Sequence, residues 1–283
     1  MGRRAEPWCR TNIKQKIFEM TNKSVSDKYV WKLIKAYPDI QPSKARGLDS
    51  KRARAFNRPN VFNYFDLLED IVRTHQIPQE NIYNFNEKGV QLGGGHKNSS
   101  TLYFFDKEDR NNYIRKSDFL ILFTIIEAAC ADGTPLPPAF ILPKGDLPEW
   151  WNWEGVGTVT VTDSGWTNDS ICHQWFSKVF LPFAKGHGDQ MKKILLILDR
   201  HGSHETIEMV NYAAAHGVEL LNLPAHTTHK LQPLDVGVFG LLQCSWIKHC
   251  EYLGIRRRNI THDTVVPEYM KVRELIRLCM CPD

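Results

Sequence analysis

The sequence predicts an α/β protein, a mixed sheet flanked by helices and preceded by a small helical segment. Three observations carry that expectation. Up to about residue 80 the apolar residues recur at helical spacing and no strand pattern is visible. From residue 81 short apolar runs alternate with helical stretches. The β-branched run FLILFTIIEAACA (119–131) is followed by the turn residues DGTPLPP and a second apolar run, AFILP, which reads as its hairpin partner.

In the head, DKYVWKLIKAYP places Val30, Leu33, Ile34 and Tyr37 on one helix face, with Asp27 as the expected cap and Pro38 as the stop. NIKQKIFEM does the same for Ile13, Ile17 and Met20. A basic stretch, QPSKARGLDSKRARAFNRP, follows, and NVFNYFDLLEDIVRTH aligns Val61, Phe65, Leu68 and Val72 on another amphipathic helix. The organisation expected is a DNA-binding segment with its basic linker over 1–58, a connecting helix over 59–80, and a core over 81–275. NIYNF (81–85) is the first expected strand; Asn86 closes it, and Gly89 and Gly93 to Gly95 read as turn residues. Residues 144–170 read as a loop-rich insertion anchored by Trp150, Trp151, Trp153 and Trp166. A helix over 170–184, a fully buried strand KKILLILD (192–199), a helix over 203–217 capped by Ser203 and ended by Gly217, a strand over 218–224 and a helix over 238–253 complete the order.

Net charge is +4, unevenly spread: residues 1–58 hold fifteen Lys/Arg against five Asp/Glu, and the remainder is net acidic. A basic head on an acidic body suits a nucleic-acid contact made by the head, and suits a solvated helical surface about equally. The seven cysteines are odd in number and scattered, so no disulfide framework is expected, and Cys279 with Cys281 is a lone CxC. The N-terminus lacks the apolar run of a secretory signal, and the 119–131 run, interrupted by Glu127, is too short to span a bilayer. A soluble intracellular protein with no membrane partner is expected.

Three positions at element ends could converge on chemistry: Asn86, Asp199 at the end of ILLILD, and Asp235 before the last long helix. Open sheets bind ligands beyond the carboxyl ends of their strands. Taken singly, each has a plainer use as a turn former or a helix cap. The HGSH and HTTH pairs have a spacing that suggests zinc, but too few partners to make a structural site.

Taken together, three segments are more specific. NIYNFNEKG resembles the N-F/M-D-E-x-G stretch of the pogo/Tigger/jerky branch of DDE transposases. LILDRHGSH resembles that branch's second block, and LPAHTTHKLQPLDVGVFG is similar to its third, L-P-P-H-S/T-S/T-H-x-L-Q-P-L-D, almost throughout. YVWKLIKAYPDIQPSKARGLDSKRA is similar to the tail of a centromere-protein-B-type helix-turn-helix.

The resemblance spans about residues 24 to 275. It implies an RNase H-like core in which three carboxylates hold two Mg²⁺ or Mn²⁺ ions for strand cleavage and joining. Carried over by position, the three are Asn86, Asp199 and Asp235, so the first Asp is an amide here and the metal site is expected to be weakened. Arg200 in place of a glycine is a second departure, and both ends read as truncated relative to the family. Double-stranded DNA is the expected partner, met by Lys28, Lys32, Lys35, Lys44, Arg46, Lys51, Arg52, Arg54 and Arg58, with a homo-oligomer on DNA, no small-molecule substrate, and the nucleus as location. Three functions stay open: a DNA-binding protein with impaired catalysis, an active transposase or endonuclease, and an inert transposon remnant.

Overall fold

A computed structural model describes residues 8–40, 50–93, 104, 121–145, 154–199 and 206–280. The chain forms two compact units, Met1–Phe56 and Asn57–Asp283. The first holds α1 (Arg10–Thr21), α2 (Asp27–Lys35) and α3 (Ser50–Ala55). Ser26, not Asp27, caps α2, its side chain accepting from the Tyr29 amide at 3.3 Å. Asp27 instead pairs with Arg10 at 3.3 Å and Lys14 at 3.1 Å, tying α1 to α2. Val30 is buried, but Tyr37 lies beyond the end of α2 and Met20 is exposed, so the two apolar faces are shorter than their periodicity predicts.

The second unit begins with α4 (Arg58–His75) and is built on six strands: β1 (Ile82–Gln91), β2 (Leu122–Cys130), β3 (Ala139–Pro143), β4 (Thr158–Thr162), β5 (Ile194–Leu198) and β6 (Val218–Asn222). Their order is β4-β3-β2-β1-β5-β6. β1, β2 and β3 pair antiparallel, while β5 pairs parallel with both β1 and β6 and β4 parallel with β3. This is the mixed sheet of an RNase H-like fold with an added edge strand. The helices α5 (Asp169–Trp175), α6 (Leu181–His187), α7 (Ile207–Ala215), α8 (Thr228–Leu231), α9 (Phe239–Ile255) and α10 (Val265–Met280) complete the unit.

Three expectations are corrected. The first strand does not end at Asn86: β1 continues to Gln91, because β2 pairs with it from Tyr83 to Gln91 and supplies a backbone partner for the polar pair. Gly89 is therefore a strand residue opposite Thr124, where an added Cβ would meet the Trp166 ring at 3.9 Å. The region 144–170 carries a strand, β4, whose alternating Thr and Val line a sheet edge. Of the insertion's tryptophans, Trp150, Trp151 and Trp153 lie outside the described residues. So does Ser203; α7 is capped by Thr206, which accepts from the Met209 amide at 3.2 Å.

Both faces of the sheet are covered. On one, Cys172, Trp175, Phe176, Phe180 and Met209 of the α5–α7 layer pack on Tyr83, Phe85, Ile126, Leu196 and Leu198. A π-helical turn, Phe176–Phe180, joins α5 to α6, so the expected helix over 170–184 is continuous but not regular. On the other face, α9 and α10 cover β2 and β3 through Leu242, Trp246, Val265 and Tyr269. α4 covers β5 and β6 on that same face through Tyr64, with Leu68 and Val72 beside it. Phe65, expected in that apolar stripe, is half exposed and Tyr64 takes its place, since the buried row runs 64, 68, 71, 72. The middle of β1 lies between the two apolar patches, and there the residues on this face are polar: Asn84, Asn86 and Lys88.

Candidate metal centre

Strand register brings the first two sequence-predicted positions together. In the parallel β1/β5 pairing Asn84 stands opposite Ile197, and each chain runs on two residues to Asn86 and Asp199. The third position is brought in by hydrogen bonds. The Asn84 side chain, buried in the sheet, donates to Ile197 O at 2.9 Å and to Gln232 Oε1 at 2.6 Å, and accepts from the Leu234 amide at 3.3 Å. Gln232 in turn donates to Phe85 O at 3.1 Å. Further along, Lys88 lies over the Phe239 ring, 5.6 Å from its centroid. Contacts at 84 and 88 thus bracket Asn86 on the strand, and their partners at 234 and 239 bracket Asp235. Asp235 sits in a π-helical turn, Leu234–Val238, that leads directly into α9, so it is not the cap of that helix. Turns of this kind widen a helix by one residue and recur at functional sites.

The first of the three positions differs from the other two in kind. Asn86 is buried, and its Oδ1 accepts from the Glu87 amide at 2.8 Å. An aspartate making that bond would still offer a second anionic oxygen; the amide offers Nδ2, a donor that repels a cation. Glu87 points to the sheet's other face, in step with Tyr83 and Phe85. Burial, followed by the charges of Glu87, Asp169 and Asp199, pushes the Cys172 thiol in α5 up to about 12.

A carboxylate that sequence reading did not single out for the site stands directly across from Asn86. Glu127 is its antiparallel partner on β2. Arg273 grips Glu127 with bonds of 2.9 and 3.0 Å, Tyr269 donates to it at 2.9 Å, and Arg273 also reaches Leu136 O at 2.6 Å. Burial and the Glu127 charge hold the Tyr269 hydroxyl well above its ordinary range. Glu127 and Arg273 also line a cavity of ≈ 230 Å³ with Leu234 and Val238 of the Asp235 turn. The sequence signal for Glu127 was present: it is the one charge inside the apolar run 119–131. Asn84 left no such signal, because its meaning depends on a partner 148 residues away.

Among the basic residues expected to meet DNA, Lys28, Lys32 and Lys35 are exposed on α2 at helical spacing, and Arg52 and Arg54 are exposed on α3. Lys51 is also in α3, while Lys44 and Arg46 lie outside the described residues, as does Arg200. Arg58 opens α4 in the other unit and stacks over Phe62 at 4.9 Å. Among the described residues no helix is long and apolar enough to cross a membrane.

Residues 122–271, more than half of the chain, match the family model described as DDE superfamily endonuclease. The chain belongs to that family. This DDE endonuclease-family chain is 27% identical over 190 residues to the "MFS-type transporter clz9" of Cochliobolus lunatus, covering 63% of itself and 19% of that protein. It is 29% identical over 112 residues to the "Pogo transposable element with ZNF domain" of Homo sapiens, covering 40% of itself and 8% of that protein. It thus spans less than a fifth of the length of either curated relative. Among solved structures it is similar to the Mos1 mariner transposase. It matches the paired-end complex with Mn at a TM-score of 0.54 and 13% identity, over 95% of this chain and 76% of that one. It matches the paired-end complex with left transposon end at 0.52 and 13%, over 97% and 79%. At that identity the likeness shows a shared fold, the RNase H-like sheet described above.

Proposed function

We propose that this chain is a transposase-derived DNA-binding protein of the pogo/Tigger/jerky branch whose nuclease centre is impaired by Asn86. What supports the reading is the parallel register of β1 and β5 just before 86 and 199, with the Asn84 bonds to Gln232 and Leu234 beside 235, and an amide in one of the three places. Asp199 and Asp235 are half-buried carboxylates, hard oxygen donors of the kind Mg²⁺ and Mn²⁺ require. They fit such an ion; Asn86 fits it poorly, since it brings no charge and its Oδ1 is engaged by the Glu87 amide. Bound ions at such a centre supply Lewis-acid activation of a water or a 3′-hydroxyl. Asp199 and Asp235 would hold and orient them, and the Asn84–Gln232 clasp would set the separation of the two carboxylates.

The cost of the amide is large. A carboxylate oxygen about 2.1 Å from a divalent ion gains a gross Coulomb energy on the order of 10 kcal/mol at an effective dielectric near 20. Desolvation cancels much of it, but a net loss of about 3–4 kcal/mol still slows the reaction roughly a hundred- to a thousand-fold. The pogo transposable element relative and the Mos1 complex with a left transposon end support DNA as the partner, and the nucleus as location belongs to the same reading. The exposed lysines of α2 and arginines of α3 supply the contact to phosphates, and a homo-oligomer on DNA is part of the same reading.

Asn86→Asp should raise Mg²⁺-dependent nicking of duplex DNA at least about a hundred-fold. Calorimetry with Mn²⁺ should show saturable two-ion binding in that variant and not in the unaltered chain. If the unaltered chain already nicks as fast as Asn86→Asp, the centre is not impaired and the reading is wrong.

A further inference from the structure

A second cluster of metal-ligating groups lies away from that centre. Cys130 ends β2 on the face that packs against α5–α7, opposite Tyr83, whereas Asn86 and Glu127 belong to the other face. Asp132 follows in the β2–β3 turn, and Gly133, with φ of +96°, lets the chain reverse there. His187 ends α6, its ring stacked on Phe183 at 5.6 Å between centroids. The thiol sulfur, a carboxylate oxygen and a ring nitrogen of these three residues all lie within 4.8 Å of one another.

We propose that Cys130, Asp132 and His187 form a three-ligand site for a zinc-class transition metal, with a water as the fourth ligand. The donor set decides the class. A thiolate and an imidazole select zinc or cobalt over Mg²⁺, whose shell is all oxygen. One thiolate, one carboxylate and a neutral imidazole balance a dication, so a partly buried site carries no uncompensated charge.

The geometry needs little adjustment. Zinc bonds of about 2.0–2.3 Å imply ligand-to-ligand spacings of roughly 3.3–3.7 Å in a tetrahedron. His187 Nε2 and Asp132 Oδ2 are 2.6 Å apart and would have to part by about 1 Å, while the sulfur, within 4.8 Å of both, has at most about 1 Å to close. The carboxylate is already oriented by a neighbour. Asp132 Oδ1 accepts the Thr134 amide at 2.8 Å, the kind of supporting bond that turns a ligand carboxylate toward its metal. Cys130 is buried, but the side chains of Asp132 and His187 are 20% and 27% exposed, which gives an ion a path in and a water a place to bind. On loading, the thiol gives up its proton to solvent and the metal–sulfur bond forms; no oxidant or reductant takes part. The result is a clip joining the β2–β3 turn to the end of α6.

Titrating the full, metal-stripped and reduced chain with Co²⁺ tests this directly. The expected result is a thiolate-to-cobalt charge-transfer band and tetrahedral ligand-field bands that saturate near one equivalent. Cys130→Ala should remove the charge-transfer band, and His187→Gln should weaken binding at least about ten-fold. Asp199→Asn with Asp235→Asn should leave it intact, which separates this site from the proposed nuclease centre. Zinc should also raise the melting temperature of the unaltered chain and not that of His187→Gln, a variant near the surface that keeps the core. Absence of a thiolate band, or a band that survives in Cys130→Ala because another cysteine supplies it, would overturn the proposal.

Discussion

At residue 86 an amide sits across the strand from a buried glutamate that is itself held by an arginine and a tyrosine. The two residues show how differently charge can be handled a few ångströms apart. Glu127 is buried with Arg273 bonded to both of its oxygens; Asn86 is an amide and needs no such partner. Arg273→Met should therefore cost about 3–5 kcal/mol in a urea titration, because it leaves a buried carboxylate with the Tyr269 hydroxyl as its partner among the described residues. Glu127→Leu combined with Arg273→Met should cost clearly less, since neither charge remains. A double variant as unstable as the single one would show that the arginine acts through packing and not through its pairing with Glu127.

Among elements, the pair α9 and α10 is held by more than its apolar seam. Glu268 on α10 accepts from His249 of α9 at 2.6 Å and from Lys271 at 2.9 Å, with Arg258 3.6 Å away. Burial alone would raise the Glu268 carboxyl, but the hydrogen bonds from Lys271 and His249 outweigh it and hold the group below its ordinary value. The folded state thus favours the ionised form, so this contribution to stability is fully present above the unfolded carboxyl's value and is lost as pH falls through the lower folded one. Glu268→Gln should destabilise the protein at pH 7, and the gap to the unaltered chain should narrow as pH is lowered through the carboxylate range. A gap that stays constant with pH would mean that the charge of Glu268 contributes nothing. The same helices matter to the proposed centre, because α9 begins where the Asp235 turn ends.

For the molecule as a whole, the proposed DNA contact predicts how binding responds to salt. Affinity for duplex DNA should fall steeply with salt, and replacing Lys28, Lys32 and Lys35 together by alanine should reduce the log–log slope by about 2–3. An unchanged slope would place the contact elsewhere. The sheet was legible in sequence where residues are buried on both sides, as in ILLIL, and where a hairpin joins two apolar runs. β4 was not, although TVTVT is a strictly alternating β-branched run, because it is only five residues long and stands beside a stretch rich in Trp and Gly that reads as loop. The length of β1 was hidden by Asn86 and Glu87, which read as a stop until β2 supplied their backbone partners. The three candidate positions could be found by their resemblance to a family's blocks, but the clasp joining them could not, since neither Asn84 nor Gln232 is unusual alone. That clasp also has a consequence for the order of synthesis. Its two halves are 148 residues apart, so a nascent chain can close the β1–β2–β3 antiparallel section well before Gln232 leaves the ribosome. Until then the strand bearing Asn86 stands without the bonds that tie it to the turn bearing Asp235, so the proposed centre is among the last parts of the sheet to be assembled.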